Sequence, residues 1–197
     1  MTTYWNHNTA YHRWLVDIAG RHRGRCLDVG CGDGLLVQRL APVSASVTGI
    51  DNDALAVERA RQRVTTCGNV AVAHADLAEF DAAASSFDVV VFVASLHHMD
   101  LATALAKARF LLAPGGDLLV VGLSANKSAG DWLLSGLALP VVSLLSRLHH
   151  ETRDVGVIVT DPKESLREIS AVAHSLLPGV RIRRGIYYRY LLKWSKP

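Results

Sequence analysis

The densest cluster of residues able to do chemistry is Cys26-Leu27-Asp28-Val29-Gly30-Cys31-Gly32-Asp33-Gly34. Glycines at 30, 32 and 34 permit a tight turn with positive φ and bring backbone to a ligand with no Cβ in between. The spacing discriminates among ligands. A dinucleotide fingerprint, G-x-G-x-x-G, needs glycine at position 35, where this chain has Leu35. Asp33 stands just before the next helix, where a carboxylate caps free N–H groups and repels the pyrophosphate that otherwise favours a helix N-terminus. Downstream, Gly49-Ile50-Asp51-Asn52-Asp53 sets an acid about 20 residues beyond the loop, the place of a ribose-hydroxyl acceptor. Asp53 suits a helix cap. His74-Ala75-Asp76-Leu77 offers an acceptor for an adenine amino group beside an apolar residue for the ring. Together these point to a phosphate-free nucleoside whose cationic part is attracted to Asp28.

Proton-transfer candidates are His97 and His98, which follow the apolar run Phe87–Val93. Histidine titrates near neutrality, as a general base must; the competing role for the pair is to shape the pocket by packing. His12 and His150 are further candidates. The neighbours His149, His150 and Glu151 do not suggest a metal site, because adjacent side chains rarely converge on one ion. Cys26, Cys31 and Cys67 make an odd set without paired spacing. That argues against a disulfide framework and a zinc site and fits a reducing cytoplasm. No metal is expected.

The elements that must position these residues alternate. The pattern predicts a helix over Tyr11–Ala19, a strand over Arg25–Val29, a helix from Leu35 stopped by Pro42, a strand over Ala45–Ile50 and a helix over Asp53–Val64 ended by Gly68. It continues with strands over Val70–Ala73 and Phe87–Val93, a helix over Leu101–Leu112, a turn at Ala113–Gly116 and a strand over Asp117–Gly122. A helix over Pro162–Leu177, capped by Asp161, and strands over Val180–Tyr188 and Arg189–Ser195 finish the chain. Alternating strands and helices imply an α/β fold with a parallel sheet covered on both faces. The length of 197 residues suits one domain, and half hydrophobic with one fifth charged is a globular composition.

In this order, LDVGCGDG, GIDND, HADL, FDVVVFVASLHH and LLAPGG resemble the class I (Rossmann-like) S-adenosylmethionine-dependent methyltransferases, over about residues 24–123. The resemblance implies a doubly wound, seven-stranded, mostly parallel sheet with an antiparallel last strand. It also implies S-adenosylmethionine as cofactor and S-adenosylhomocysteine as product. By that resemblance Gly30, Cys31 and Gly32 line the methionine part, and Asp51 holds the ribose. Asn52 lies near the adenine, Asp76 takes the adenine amino group beside Leu77, and Val93 sits beneath the cofactor. The N-terminal Tyr4, Trp5 and Tyr11 resemble aromatic residues that fold over the cofactor, making residues 1–20 a cofactor cover.

Residues 124–160 break the rhythm and are expected to cover the acceptor. Their apolar stretch, Trp132–Leu148, suits a hydrophobic or aromatic small molecule first, a homodimer contact second and a membrane surface last. It is shorter than the roughly 20 residues of a membrane span. The polar, aromatic residues Met1–His12 carry no signal-peptide pattern. From Arg181 onward there are six basic residues and no acid, a tail too narrow to make a nucleic-acid surface the leading reading. Position 94 onward also reads Ala-Ser-Leu-His, unlike the [DNS]-P-P-[YFW] motif of nucleic-acid amino-methylating enzymes. The sequence therefore points to methyl transfer to a small hydrophobic acceptor, at oxygen ahead of nitrogen or carbon. An RNA or protein methyltransferase and a non-catalytic adenosylmethionine-binding domain are the alternatives. An NAD-dependent oxidoreductase is disfavoured by Leu35 and Asp33.

Overall fold

A computed structural model describes residues 4–127 and 161–197. A 3₁₀ turn at Thr9–Tyr11 leads into α1 (His12–His22), followed by β1 (Arg25–Val29), α2 (Leu35–Leu40), β2 (Ser46–Asp51), α3 (Ala54–Arg63), β3 (Val70–His74) and β4 (Phe87–Val93). A further 3₁₀ turn at Leu96–His98 precedes α4 (Leu101–Leu111) and β5 (Leu112–Leu123). Helix α5 (Leu166–Leu176) and strands β6 (Arg181–Arg184) and β7 (Arg189–Ser195) close the chain. The sheet order is β3-β2-β1-β4-β5-β7-β6. Strands β1 to β5 pair in parallel, and β7 runs antiparallel to both its neighbours.

The period of two in β4 explains the layers. Val90 and Phe92 face one side, packing with Leu105, Ala108 and Leu111 of α4 and Ile169 and Ala173 of α5. Val89 and Val91 face the other, with Leu15 and Ile18 of α1, Leu36, Val37 and Leu40 of α2 and Ala60 of α3. Strand order reverses between β1 and β4, so the crevice at their C-terminal ends is where such sheets bind ligands.

Beyond shifts of one to three residues elsewhere, such as α1 running on to His22, three boundaries differ from expectation. Asp161 does not cap the late helix, which begins four residues after Pro162. Ser165 and Glu168 form a reciprocal capping box there, and this satisfies the free N–H groups better than a lone aspartate upstream. The strand expected over Val180–Tyr188 ends at Arg184. The chain then turns through Tyr187 and Tyr188, both at positive φ (60° and 58°). Strand β5 starts at Leu112, so Ala113–Gly116 is absorbed into it, with a register shift opposite Phe87 and Val89.

Candidate active site

The glycine loop is pinned to β2. Gly30 and Cys31 N–H groups both donate to the Ile50 carbonyl, at 2.8 and 3.0 Å. Gly30 has φ +73°, and a Cβ there would sit 2.3 Å from Ser95 Cβ, so glycine is the residue that lets β1 and the turn after β4 meet. At that turn Ala94 takes φ +52°, which swings Ser95 back so that its hydroxyl donates to the Val29 carbonyl. Gly34, at φ +79°, brings α2 against α3, where a Cβ would lie 2.9 Å from Ala60 Cα.

Asp51 braces the loop while facing the cleft. Its Oδ2 accepts from Gly32 N–H at 2.8 Å and its Oδ1 from Asp53 N–H at 2.9 Å. Each oxygen keeps a lone pair for a ribose hydroxyl. Asp53 caps α3 through Leu55 N–H, as expected. Asp28, in β1 opposite Gly49, is 2 % exposed. Burial first, and the nearby Asp51 charge second, push its carboxyl up to about 7. A carboxylate buried in this way could hold a cationic group of a ligand. Burial and the neighbouring acids also push the Cys31 thiol up, so it stays an uncharged wall.

Asp33 does more than cap α2. Its side chain reaches Leu35 N–H at 3.3 Å, but its close partner is Arg63, at 2.6 Å, and Tyr4 donates to it at 3.0 Å. The Arg63 pairing offsets the charge of the carboxylate, so Asp33 is a weaker barrier to a pyrophosphate than the sequence suggests. Arg63, on the last turn of α3, carried no sequence signal.

One cleft of about 970 Å³ brings together Asp28, Gly30, Cys31, Gly32, Asp51, Asn52, Asp76, Leu77, Val93, His97 and His98. The residues cited for the nucleoside and the two candidate bases therefore share one wall system. The 3₁₀ turn presents His97 and His98 with ring centroids 4.1 Å apart. Tyr11 is the exception. It does not line the cleft, because its hydroxyl donates to the Ile186 carbonyl at 2.7 Å. Tyr4 and His12 line the cleft instead. Trp5 packs edge-on against Tyr187, which stacks on His7 at 4.6 Å. Arg189, another wall residue that sequence reasoning passed over, donates twice to Asn8 Oδ1.

Leu123, Asp161 and Pro162 also line the cleft. Ala125 N–H donates to the Glu164 carbonyl at 2.8 Å, Ala125 pairs with Ser165, and Lys127 bonds Glu168. Trp132–Leu148, and His149, His150 and Glu151, lie outside the described residues. Among the described residues no group of three or more His, Cys, Asp or Glu could hold a metal, and no helix is long and apolar enough to cross a membrane.

The cradle suits an S-adenosyl ligand: bare backbone at Gly30, a cation site at Asp28 and a doubly braced acceptor at Asp51. Comparison with known proteins agrees. Residues 26–116 match the methyltransferase-domain family. An uncharacterized methyltransferase of Mycobacterium tuberculosis is 35 % identical over 195 residues, 98 % of each chain. A ubiquinone biosynthesis O-methyltransferase of Aromatoleum aromaticum is 35 % identical over 141 residues, 70 % of this chain and 60 % of that one. The fold is shared with N-methyltransferase NodS of Bradyrhizobium japonicum, solved with S-adenosyl-L-homocysteine. That match has TM-score 0.66 and 19 % identity and covers 98 % of this chain and 89 % of that one. It is shared too with the PH0226 protein of Pyrococcus horikoshii, at TM-score 0.70 and 19 % identity over 96 % and 89 % of the two chains. Near-complete overlap with the mycobacterial methyltransferase, together with a family match that takes in the glycine loop, establishes that the chain belongs to the class I S-adenosylmethionine-dependent methyltransferases.

Proposed function

We propose that the chain methylates a small hydrophobic or aromatic acceptor, at a hydroxyl oxygen ahead of nitrogen or carbon. The observation that carries this reading is the adjacent pair His97–His98 on the wall of the cofactor cleft, at the end of β4. A sulfonium-bound methyl is already activated, so the protein's share of the work is alignment and exclusion of water. A hydroxyl acceptor must also lose a proton. A neutral imidazole at His97 or His98 takes it as the oxygen attacks, and Ser95, fixed on the Val29 carbonyl, holds the turn that carries both rings. Apolar wall residues Val93, Met99, Leu123 and Pro162 favour an apolar acceptor over a polyanion. The relatives that act as ubiquinone biosynthesis O-methyltransferases support oxygen as the target. Leu123 and Asp161, on either side of residues 124–160, both line the cleft, which supports that segment as acceptor cover; Tyr4 and His12 on the same cleft support residues 1–20 as cofactor cover.

The test is mass spectrometry of phenols, aliphatic alcohols, amines, RNA and protein incubated with enzyme and deuteromethyl donor. Labelled ethers are expected from small aromatic alcohols. Replacing both histidines by alanine should lower kcat about 10²- to 10⁴-fold with little change in KM. Label appearing only on RNA or protein would overturn the reading. So would S-adenosylhomocysteine binding without turnover on any acceptor.

A further inference from the structure

Helix α1 buries a stripe formed by His12, Leu15, Ile18 and Ala19 against α2 and β4. Three members are ordinary core residues. The first is an imidazole, 5 % exposed, and its Nδ1 is buried without a hydrogen-bond partner. An unsatisfied buried polar group is destabilising, a cost that leucine at this position would avoid. Packing alone therefore gives no reason for histidine here. The residue does, however, line the cofactor cleft. Burial first, and the Arg39 charge second, push its pKa down to about 3, so the ring is a neutral donor and acceptor throughout the working range.

Its place in the fold says which part of a ligand it meets. Asp76 follows β3, Asp51 ends β2 and the glycine loop follows β1, in the spatial order β3-β2-β1-β4. A nucleoside with its base at Asp76 and its sugar at Asp51 runs toward β1, which leaves its far end over Gly30–Gly32. Helix α1 packs beside that end, with Leu15 in the same core cluster as Cys31 and Leu36. Asp28 would provide there for the ammonium and sulfonium charges; the cleft-lining Arg189 is turned to Asn8 Oδ1 and the Tyr187 carbonyl, and His12 is the donor that α1 contributes for the carboxylate.

We infer that His12 is a cofactor-positioning residue, donating its imidazole N–H to the carboxylate of the amino-acid end of the S-adenosyl ligand. The Arg39 charge that opposes a proton on His12 favours a carboxylate beside it. The inference rests on the cofactor assignment and is independent of the acceptor.

The test compares two ligands by calorimetry: S-adenosylhomocysteine, and 5′-methylthioadenosine, which lacks the amino-acid end. His12→Phe should weaken S-adenosylhomocysteine at least about tenfold, as loss of a charge-assisted hydrogen bond does. It should leave methylthioadenosine within about twofold and keep or raise Tm. His12→Gln, which restores a donor, should recover part of the loss. In the wild-type protein, the His12 ring ¹⁵N resonances should move on adding S-adenosylhomocysteine and stay put with methylthioadenosine, a readout that survives if the variants fold poorly. Unchanged S-adenosylhomocysteine affinity in His12→Phe, or equal weakening of both ligands, overturns the role of His12. Failure of the wild-type chain to bind either ligand would instead overturn the cofactor cleft itself.

Discussion

Asp28→Asn separates the cost of the cation site from its use. The Asp28 carboxyl moves from an ordinary 3.8 to about 7 in the folded chain. At about 1.4 kcal/mol per pH unit, that displacement destabilises the unliganded protein by at most about 4 kcal/mol once the group ionises. The sign follows from a folded pKa raised above the unfolded one. The contribution is fully present below about pH 4 and is lost as pH rises through about 7. His12 tilts the other way. Its folded value is depressed to about 3 from 6.5, so its contribution is present above about pH 6.5 and is lost as pH falls. The difference between wild type and Asp28→Asn cancels His12 and isolates Asp28. Urea denaturation between about pH 4 and pH 8 should show the variant gaining on the wild type as pH rises, approaching the 4 kcal/mol ceiling. Binding should move oppositely. A cationic ligand needs the ionised carboxylate, so wild-type affinity for S-adenosylmethionine should fall toward tenfold per pH unit below about 7. The variant should bind weakly with no such slope. Parallel stability curves for the two proteins, or equal pH slopes in binding, would refute the assignment of Asp28 as the cation site.

Further substitutions test other parts of the site. Asp51→Ala removes both the ribose acceptor and the brace on Gly32. S-adenosylhomocysteine binding should drop at least about 100-fold by calorimetry while the far-UV circular dichroism stays native. Gly30→Ala forces a Cβ into Ser95 at positive φ and should cost at least about 2 kcal/mol in urea denaturation. Ser165→Ala breaks the capping box of α5 and should cost about 1 kcal/mol, seen as a Tm lower by a few degrees, with cofactor affinity unchanged.

The sheet was legible because its code is local. Apolar runs such as Phe87–Val93 mark buried parallel strands, and Gly30–Gly34 marks a turn where positive φ and close packing call for glycine. Asp28 and Asp51 stand out in the sequence because they lie on the strands flanking that turn, and both line the cleft. What escaped was set by partners distant in sequence. Arg63 meets Asp33 across 30 residues, and Arg189 meets Asn8 across 181. Tyr11 was misplaced because an aromatic near the start of a helix looks the same whether its hydroxyl faces a ligand or, as here, the Ile186 carbonyl. The start of α5 was misjudged because Asp161-Pro162 is a good opening signal that loses to Ser165-x-x-Glu168 only once the chain between is seen to run along the cleft.

The pairing of Ala125 with Ser165, fastened by Ala125 N–H on Glu164 and by Lys127 on Glu168, has an evolutionary reading. It joins the two stems of the insert as a clasp closes a necklace. With closure fixed by the scaffold, each doubling of an insert's length costs only about 0.6 kcal/mol of chain entropy. Sequence between the stems can thus lengthen, shorten or be grafted as a cassette while the donor half stays untouched. On the proposed reading of residues 124–160 as acceptor cover, a lineage carrying this clasp could retarget its chemistry by exchanging the sequence between the two stems.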